Sequence, residues 1–254
     1  MILNWRKKIV DTTIKPITWN SYNRHLKAIF SFAIKHNLIS IEQNPFDGLF
    51  IKQGKNKKKT LTKNQLNKIS YILDKNSILP EILEPRWFII ALIMTLRYTA
   101  MRRSQLLKLR IYNVNLDNRT IFIEPSINKN HDFHIIPISE KLYPHLERLI
   151  FELKKHKQSD KEQLFNFNLF SHAIKRRGFE MNQEQLTHIF KVLSKCVGFT
   201  VSPHRFRHTA ATLLMKDPNN VYVAQKLLGH KDIKTTLGYI EHNVDMIREY
   251  VDML

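Results

Sequence analysis

The sequence predicts a mainly α-helical protein with a small antiparallel β-sheet, divided into two domains. Apolar residues recur at helical spacing over most of the chain, whereas strand patterns bounded by turn residues occur only near residues 115–138. A lysine-rich stretch interrupts the helical pattern after residue 50, and 43% of the 254 residues are hydrophobic, which is enough to build a core. We therefore predict a helical domain at 1–50, a basic linker at 51–60 and a larger domain at 61–254.

The composition indicates a polyanionic partner. Lys and Arg total 41 against 22 Asp and Glu, so the formal net charge is +19. A single cysteine excludes a disulfide framework and a cysteine-based zinc site, and it suits a reducing cytosol. The longest apolar run, at 87–96, is too short to span a bilayer, and the N-terminus lacks the features of a signal peptide. We expect a soluble, cytoplasmic protein that does not enter membranes.

In the first domain, one predicted helix carries an apolar and a polar face. Thr18 follows Pro16 and is predicted to cap a helix that runs to about His36. The apolar face comprises Tyr22, Leu26, Ile29, Phe30 and Ala33. The opposite face comprises Asn20, Asn23, Arg24, Lys27 and Ser31. Asn, Arg and Lys reach base edges and phosphates in a major groove, so the candidate DNA contacts are Asn23, Arg24 and Lys27, although a solvated polar face is the commoner explanation.

The segment that follows this domain is strongly basic. Between Gly48 and Leu73 the chain has no acidic residue, and residues 51–60 predict an extended, self-repelling linker. The linker is either a solvated charge run or a strap that lies along DNA phosphates. Its candidate phosphate contacts are Lys55, Lys57, Lys58 and Lys59.

In the larger domain, helices flank one short β segment. A helix is predicted to start at 61–63, and residues 87–98, which are apolar on all sides, predict a buried central helix. Two strands, Thr120–Glu124 and His134–Ile138, are separated by a turn. After Ser139 the pattern is helical, with helices predicted at Glu140–Lys157, Gln183–Val197, His208–Lys216 and Val221–Leu228.

Four fragments of this domain concentrate groups that bind or cleave a phosphodiester. They are residues 98–105, the turn that contains Lys129, residues 202–208 and residues 228–239. Attack on a phosphodiester builds negative charge on the non-bridging oxygens, which fixed cations and hydrogen-bond donors can balance. Arg suits this best, because its planar guanidinium binds phosphate in a bidentate way. No group of Asp, Glu and His has convincing metal-ligand spacing, so we expect no metal and no cofactor.

These fragments resemble the tyrosine recombinase (phage integrase) family. Its pattern is an Arg within Thr-Gly-x-Arg-x-x-Glu, a Lys in a β-turn, His-x-x-Arg, and Leu-Gly-His followed nine residues later by Tyr. The matching residues here, in the same order, are Arg102, Lys129, His204, Arg207, His230 and Tyr239. The resemblance covers about residue 59 to the C-terminus, and residues 18–46 also resemble the last helices of the family's core-binding domain.

The resemblance implies a catalytic domain preceded by a short helical core-binding domain, and it implies a role for each matching residue. Tyr239 would attack the scissile phosphate to form a 3′-phosphotyrosine, while Arg102 and Arg207 clamp the non-bridging oxygens. ATP and metal are not needed, because the phosphotyrosine conserves the bond energy for rejoining. The remaining roles are a further hydrogen bond from His230, protonation of the 5′-oxygen by Lys129 and assistance to proton transfer at the phenol by His204.

Structural readings of the same residues stay open. Arg102 could be a charge at a helix C-terminus, Tyr239 could be a core aromatic, and His208 is expected to pack against or cap the next helix. The sequence departs from the family at two positions, because Ala100 replaces a Gly and Gln105 replaces an acidic residue. Gln keeps the hydrogen-bonding reach of the acid but loses its charge, so we expect the chemistry to be retained but slower.

The resemblance implies a site-specific DNA recombinase or integrase of a mobile element, which acts on double-stranded DNA as a homotetramer on two paired sites. Only about fifty residues precede the linker, so the core-binding domain is expected to be truncated. The alternative is a catalytically impaired remnant that acts as a DNA-binding protein. The tail carries an apolar stripe that predicts a helix packed on its own domain or docked in trans on a neighbouring protomer. The stripe comprises Ile240, Val244, Ile247, Val251 and Leu254.

Overall fold

The structure, a computed structural model, describes residues 2–52, 59–74, 78–128, 132–173 and 178–239. The chain divides into two compact units, residues 1–57 and 58–254. The predicted linker at 51–60 spans this division. Several predictions fall outside the described residues, namely those for Lys55, Lys57, Lys58, Lys129 and the apolar stripe of the tail.

Two helices and an irregular segment form the first unit. Helix α1 spans Ile2–Thr12 and helix α2 spans Pro16–Lys35. The prediction that Thr18 caps the second helix is wrong, because Pro16 already lies in its first turn. The fixed φ of proline suits this position, and the N–H that proline lacks has no partner within a helix there.

The core of the first unit forms around Trp19, which is fully buried and donates from Nε1 to the Leu49 carbonyl at 2.9 Å. The residues of α2 that face this core are Trp19, Asn23, Leu26 and Phe30. Tyr22 and Ile29, which were predicted on the apolar face, are instead 50% and 62% exposed. Apolar residues occupy two adjoining lines of α2, and only the line that begins at Trp19 packs against the segment at 46–51.

Helices make up most of the second unit. Their bounds are α3 Lys63–Asp74, α4 Arg86–Thr99, α5 Arg103–Lys108, α6 Tyr143–Lys155, α7 Gln183–Val197, α8 Pro203–Leu214, α9 Val221–Leu228 and α10 Ile233–Leu237. Helix α4 confirms the predicted central helix, since Phe88 on it is fully buried and packs against Phe165 and Phe167. No helix within the described ranges is both long and apolar enough to cross a membrane.

A three-stranded antiparallel sheet lies between α5 and α6 along the chain. Strands β1 (Val114–Asn115), β2 (Thr120–Ile123) and β3 (His134–Pro137) pair in the order β1-β2-β3, with Ile121 opposite Ile136. The two longer strands confirm the sequence prediction. Strand β1 was not predicted, because two residues are too few to display an alternating pattern.

Helix α8 begins earlier than the sequence predicted, and this changes where several candidate side chains lie. Pro203 was interpreted as a break, but it is the first residue of the helix, and the Ser202 side chain accepts a hydrogen bond from the Arg205 N–H at 3.3 Å. Proline is favoured at this position and serine at the preceding cap. His204 and His208 therefore lie one turn apart on α8. The sequence analysis started this helix at His208, so it left His204 outside the helix.

Candidate active site

The structure describes five of the six predicted catalytic residues, and they form one group in the second unit. Each comes from the end of a helix or from its first turns. They are Arg102 before α5, His204 and Arg207 on α8, His230 after α9 and Tyr239 after α10. Lys129, the sixth, lies outside the described residues.

Arg102 lies in the short connection between α4 and α5. Helix α4 ends at Ala100, which is in the left-handed region with φ +52° and is fully buried. Arg102 then caps α5, and its backbone N–H donates to Oε1 of Gln105 at 2.7 Å. The family's acidic residue was expected to orient cationic side chains, whereas Gln105 here contacts the Arg102 backbone. The reading of Arg102 as a charge at a helix C-terminus is wrong, because the residue starts α5.

Arg207 is held by the ends of two other helices. Its side chain is buried, and its guanidinium donates from Nη1 to the Ala100 carbonyl at 2.7 Å and from Nη2 to the Leu228 carbonyl at 2.8 Å. Burial, with a smaller contribution from the charge of Arg102, lowers the pKa of Arg207 to about 10. Burial also lowers the pKa of Arg102. Arg207 therefore remains a cation at neutral pH, and its direction is fixed by backbone carbonyls rather than by a carboxylate.

The turn that carries His230 requires glycine at position 229 for two reasons. Gly229 ends α9 with φ +59°, a conformation that L residues with a side chain rarely adopt. A Cβ at this position would also lie only 3.1 Å from Nδ1 of His134 on β3. The backbone N–H of His230 then donates to the Gln225 carbonyl at 3.1 Å, which fixes the residue directly after the helix.

The hydrogen bonds of His230 define its tautomer in this state. Its Nε2 lies 3.0 Å from Nη2 of Arg207, and its Nδ1 lies 2.9 Å from Oγ1 of the fully buried Thr236. A guanidinium can only donate, so Nε2 of His230 accepts and the ring proton is on Nδ1. The sequence analysis predicted a hydrogen bond from His230 to the phosphate without naming the nitrogen. If Nε2 is the donor, it must first gain a proton and separate from Arg207.

The Tyr239 phenol points into the same group. Tyr239 is 7% exposed, and its backbone N–H donates to the Thr236 carbonyl at 2.9 Å. Its hydroxyl forms a hydrogen bond with Nδ1 of His208 at 3.1 Å. Burial raises the pKa of the phenol above its ordinary value, while Arg207 and Arg102 act in the opposite direction. The phenol is therefore neutral near pH 7 and needs a proton acceptor before it can attack.

The sequence interpretation missed two residues of this group. His208 was expected to pack against or cap a helix, and Thr236 was not singled out. The i, i+4 spacing of His204 and His208 would have placed both imidazoles on one face, but only if the helix had been started at Pro203. Thr236 offers no comparable signal, because its partner His230 lies in a separate turn.

The three predicted DNA contacts of the first unit differ in exposure to solvent. The expectation that Asn23 faces solvent is wrong, since it is fully buried on the inward face of α2. Arg24 is exposed, and Lys27 forms an ion pair with Asp47 at the surface. In the second unit, Lys59 is exposed.

A cleft of about 440 Å³ opens beside the two arginines, and Arg102, His204 and Arg207 line it. The side chains that line it within the described part of the chain include no carboxylate, so the cleft favours an anion such as a phosphodiester. Across the described ranges, no group of three or more His, Cys, Asp or Glu side chains is placed to hold a metal ion.

Comparisons with known proteins identify relatives. The family model for the phage integrase family matches residues 59–246. A Pseudomonas aeruginosa protein named "Putative tyrosine recombinase XerC" is 34% identical over 255 residues, which cover 97% of this chain and 59% of that protein. A Pseudomonas syringae protein of the same name is 34% identical over 258 residues, which cover 99% of this chain and 54% of that protein. The chain thus spans little more than half the length of these relatives.

Solved structures show the same fold. An XerH recombinase bound to a palindromic difH substrate, in a post-cleavage complex, has a TM-score of 0.75 and 20% identity, covering 99% of this chain and 70% of that one. The Tn1549 transposon integrase bound to transposon right-end DNA has a TM-score of 0.74 and 23% identity, covering 99% of this chain and 84% of that one. The match to the family model over residues 59–246, which contain every residue of the group just described, shows that this chain belongs to the phage integrase family of tyrosine recombinases.

Proposed function

We propose that this protein is a site-specific recombinase that cuts and rejoins DNA strands through a 3′-phosphotyrosyl intermediate at Tyr239. The observation that carries the proposal is the convergence of Arg102, Arg207 and Tyr239, which lie far apart in the sequence. Both arginines line one cleft whose described lining has no carboxylate, and their charges act on the Tyr239 phenol. Fixed cations next to a buried phenol are what in-line attack on a phosphodiester requires.

In the proposed reaction, the phosphate enters the cleft and its non-bridging oxygens bind the guanidinium groups of Arg102 and Arg207. The Tyr239 oxygen bonds to phosphorus, and the bond between phosphorus and the 5′-oxygen breaks. The phenol gives up its proton, and the 5′-oxygen gains one from a general acid, the role that the resemblance assigns to Lys129. Rejoining is the reverse, with a 5′-hydroxyl of the partner strand as the nucleophile.

Double-stranded DNA is the proposed substrate. The net charge of +19 favours a polyanion, and the Tn1549 integrase structure with this fold is named as a complex with DNA. The Tn1549 integrase is named as a transposon integrase in complex with transposon right-end DNA, which supports a role in a mobile element. The exposed Arg24 and Lys59 remain candidate phosphate contacts, as do Lys55, Lys57 and Lys58 in the linker.

A covalent capture assay tests the activity. The protein is incubated with a pool of nicked duplexes of randomised sequence, and the products are separated on a denaturing gel and stained for protein. We expect a DNA-linked band with the parent protein, whose trapped DNA reports the target site when sequenced. The variant Tyr239→Phe should give no such band, because it lacks the nucleophilic oxygen.

The matched control is Tyr71→Phe, which removes a hydroxyl from a tyrosine on α3 that is 60% exposed. It should form the adduct at the parental rate. No adduct from the parent, with specific DNA binding retained, would favour a DNA-binding protein without catalysis. An adduct that survives in Tyr239→Phe would contradict the assignment of the nucleophile.

We further propose a homotetramer on two paired sites, in which the apolar stripe of the tail docks on a neighbouring protomer. This rests on the sequence alone, since residues 240–254 lie outside the described part. Deletion of residues 243–254 should abolish the pairing of two sites while single-site binding is retained. Gel-shift assays separate the two kinds of complex, and unchanged recombination by the truncated protein would refute docking in trans.

A further inference from the structure

Thr236 lies between two residues of the candidate active site and contacts both. Its hydroxyl oxygen is 2.9 Å from Nδ1 of His230, and its carbonyl accepts a hydrogen bond from the Tyr239 N–H at 2.9 Å. Thr236 is fully buried, so bulk water does not compete for either contact. The rings of His230 and Tyr239 are nearly parallel, with 16° between planes and 6.3 Å between centroids. One residue thus links the predicted nucleophile to the histidine that is predicted to bind the phosphate.

The helix that carries Thr236 directs its hydroxyl towards His230. Asp232 caps α10 by accepting a hydrogen bond from the Lys234 N–H at 2.8 Å, so this cap lies two residues after His230. Side chains on a helix point back towards its N-terminus, which is the end nearer His230 in the sequence. Threonine is branched at Cβ, so few χ1 values are open to it. The hydrogen-bond acceptor for Nδ1 is therefore part of the same short helix that leads to Tyr239.

The contact between Thr236 and His230 suits both protonation states of the imidazole. In the neutral state described above, Nε2 accepts from Arg207 and the proton on Nδ1 is donated to Oγ1 of Thr236. An imidazolium carries a proton on each nitrogen, so Nδ1 still donates to the same hydroxyl when the ring is protonated. Only Nε2 changes, from an acceptor for Arg207 to a donor for a phosphate oxygen. The ring therefore does not need to rotate between the two states.

We propose that Thr236 is a positioning residue that fixes the His230 ring, so that Nε2 is the nitrogen directed at the scissile phosphate. The inference rests on the proposed function and deepens it, because the resemblance assigns a hydrogen bond to His230 without a residue that orients its ring. A group that binds the second nitrogen of a functional histidine sets the orientation and the tautomer of the ring. Thr236 does this from the segment that also holds Tyr239.

Variants of the Thr236 side chain isolate this contact, because the carbonyl that accepts from Tyr239 is retained in all of them. Thr236→Val keeps the shape of the side chain but removes the hydroxyl, and Thr236→Ala removes the hydroxyl without adding a methyl group. We expect both to form the adduct roughly 10- to 100-fold more slowly than the parent in single-turnover assays on the captured target site, with DNA affinity unchanged. Thr236→Ser keeps an acceptor and should react within about threefold of the parent.

The matched control is Thr235→Val, because Thr235 is the preceding residue of α10 and is exposed. This variant makes the same chemical change on the same helix without touching the contact with His230, so it should react at the parental rate. A loss of rate in Thr235→Val equal to that in Thr236→Val would overturn the inference, since the defect would then come from the disturbance of α10.

A second substitution distinguishes positioning of His230 from a general effect on the structure. In a His230→Ala background, Thr236→Val should cause no further loss of rate, because the ring that the hydroxyl orients is absent. Equal slowing by Thr236→Val in the parent and in His230→Ala would overturn the inference, because Thr236 would then act independently of His230.

NMR of protein labelled with nitrogen-15 histidine reports the contact without any reaction. The His230 signals are assigned from their absence in His230→Ala. We expect the hydrogen on Nδ1 to exchange slowly with water in the parent and in Thr236→Ser, and rapidly in Thr236→Val. An unchanged signal in Thr236→Val would overturn the inference, even where adduct formation is too slow to measure. Failure of the parent to form an adduct, with the slowly exchanging hydrogen present, would instead contradict the proposed function.

Discussion

Arg207 is buried and Arg102 is half-buried, and they lie close enough for the charge of Arg102 to lower the pKa of Arg207. The charge of Arg102 contributes to the lowered pKa of Arg207, and within the described residues neither side chain has a carboxylate partner. Nη1 of Arg102 is buried without a hydrogen-bond partner among those residues. Two partly desolvated cations without a nearby counter-charge are costly, and a bound phosphate would reduce that cost.

This predicts that a simple divalent anion stabilises the folded protein. Saturating sulfate should raise the free energy of unfolding by about 1–3 kcal/mol relative to sodium chloride at equal ionic strength, measured by urea denaturation. The effect should be lost in Arg102→Ala and retained in Arg24→Ala, whose guanidinium is exposed in the first unit. It should be full at pH 7 and should fade as the pH rises past about 10, because Arg207 loses its charge there. Equal stabilisation of all three proteins would show that sulfate acts elsewhere.

At the scale of elements, the connection between α4 and α5 determines where both arginines lie. The left-handed conformation of Ala100 turns the chain after α4, brings Arg102 to the start of α5 and leaves the Ala100 carbonyl to accept from Arg207. The family has glycine at this position, and alanine is the smallest replacement that keeps this conformation accessible at modest cost.

The substitution Ala100→Val tests the role of this turn. A β-branched residue is poorly compatible with φ +52°, and the site is fully buried, so we expect a loss of about 2–3 kcal/mol in the free energy of unfolding and no detectable adduct. Ala100→Gly is the control and should change the free energy of unfolding by less than about 1 kcal/mol, with activity retained. A fully active Ala100→Val protein would show that the turn does not position the arginines.

Helices and strands whose apolar residues repeat along the chain could be predicted from the sequence. Contacts between segments that are distant in the sequence could not. The periodicity of α4 and the alternation in β2 and β3 gave the correct elements, because burial imposes the same spacing that the sequence displays. Buried amides gave no such signal. Asn168 donates two hydrogen bonds, to the Gly178 and Glu180 carbonyls at 3.0 and 2.9 Å. These bonds form only once the tertiary fold has brought the two segments together.

The site was predictable to a similar extent. Motif order identified Arg102, Arg207 and Tyr239, which the structure brings together. It did not identify the partner of the phenol, because hydrogen-bond geometry depends on where α8 begins. Ser202 and Pro203 carry the signals for that start, and interpreting Pro203 as a break moved the helix by more than one turn.

At the scale of the whole molecule, charge is the property that governs DNA affinity. Lys and Arg exceed Asp and Glu by 41 − 22 = 19, and several of these basic residues lie in or beside the predicted linker. If about six to eight of them contact phosphates, the logarithm of the association constant should fall with the logarithm of salt concentration at a slope of about −5 to −7.

Filter-binding measurements over a range of salt concentrations check this slope. Substitution of Lys59, Lys58 and Lys57 by Gln should make the slope shallower by about 2 to 3, since each lost phosphate contact removes one released counterion. An unchanged slope in the triple variant would show that the basic segment does not contact the DNA backbone.

The most direct test of the account is to locate the covalent bond. The adduct between the protein and its target DNA is digested with protease and nuclease, and the modified peptide is sequenced by mass spectrometry. We predict a nucleotide 3′-phosphate attached to the oxygen of Tyr239, beside which the structure places Arg207 and His208. A nucleotide attached to any other residue, or through its 5′-phosphate, would contradict the account.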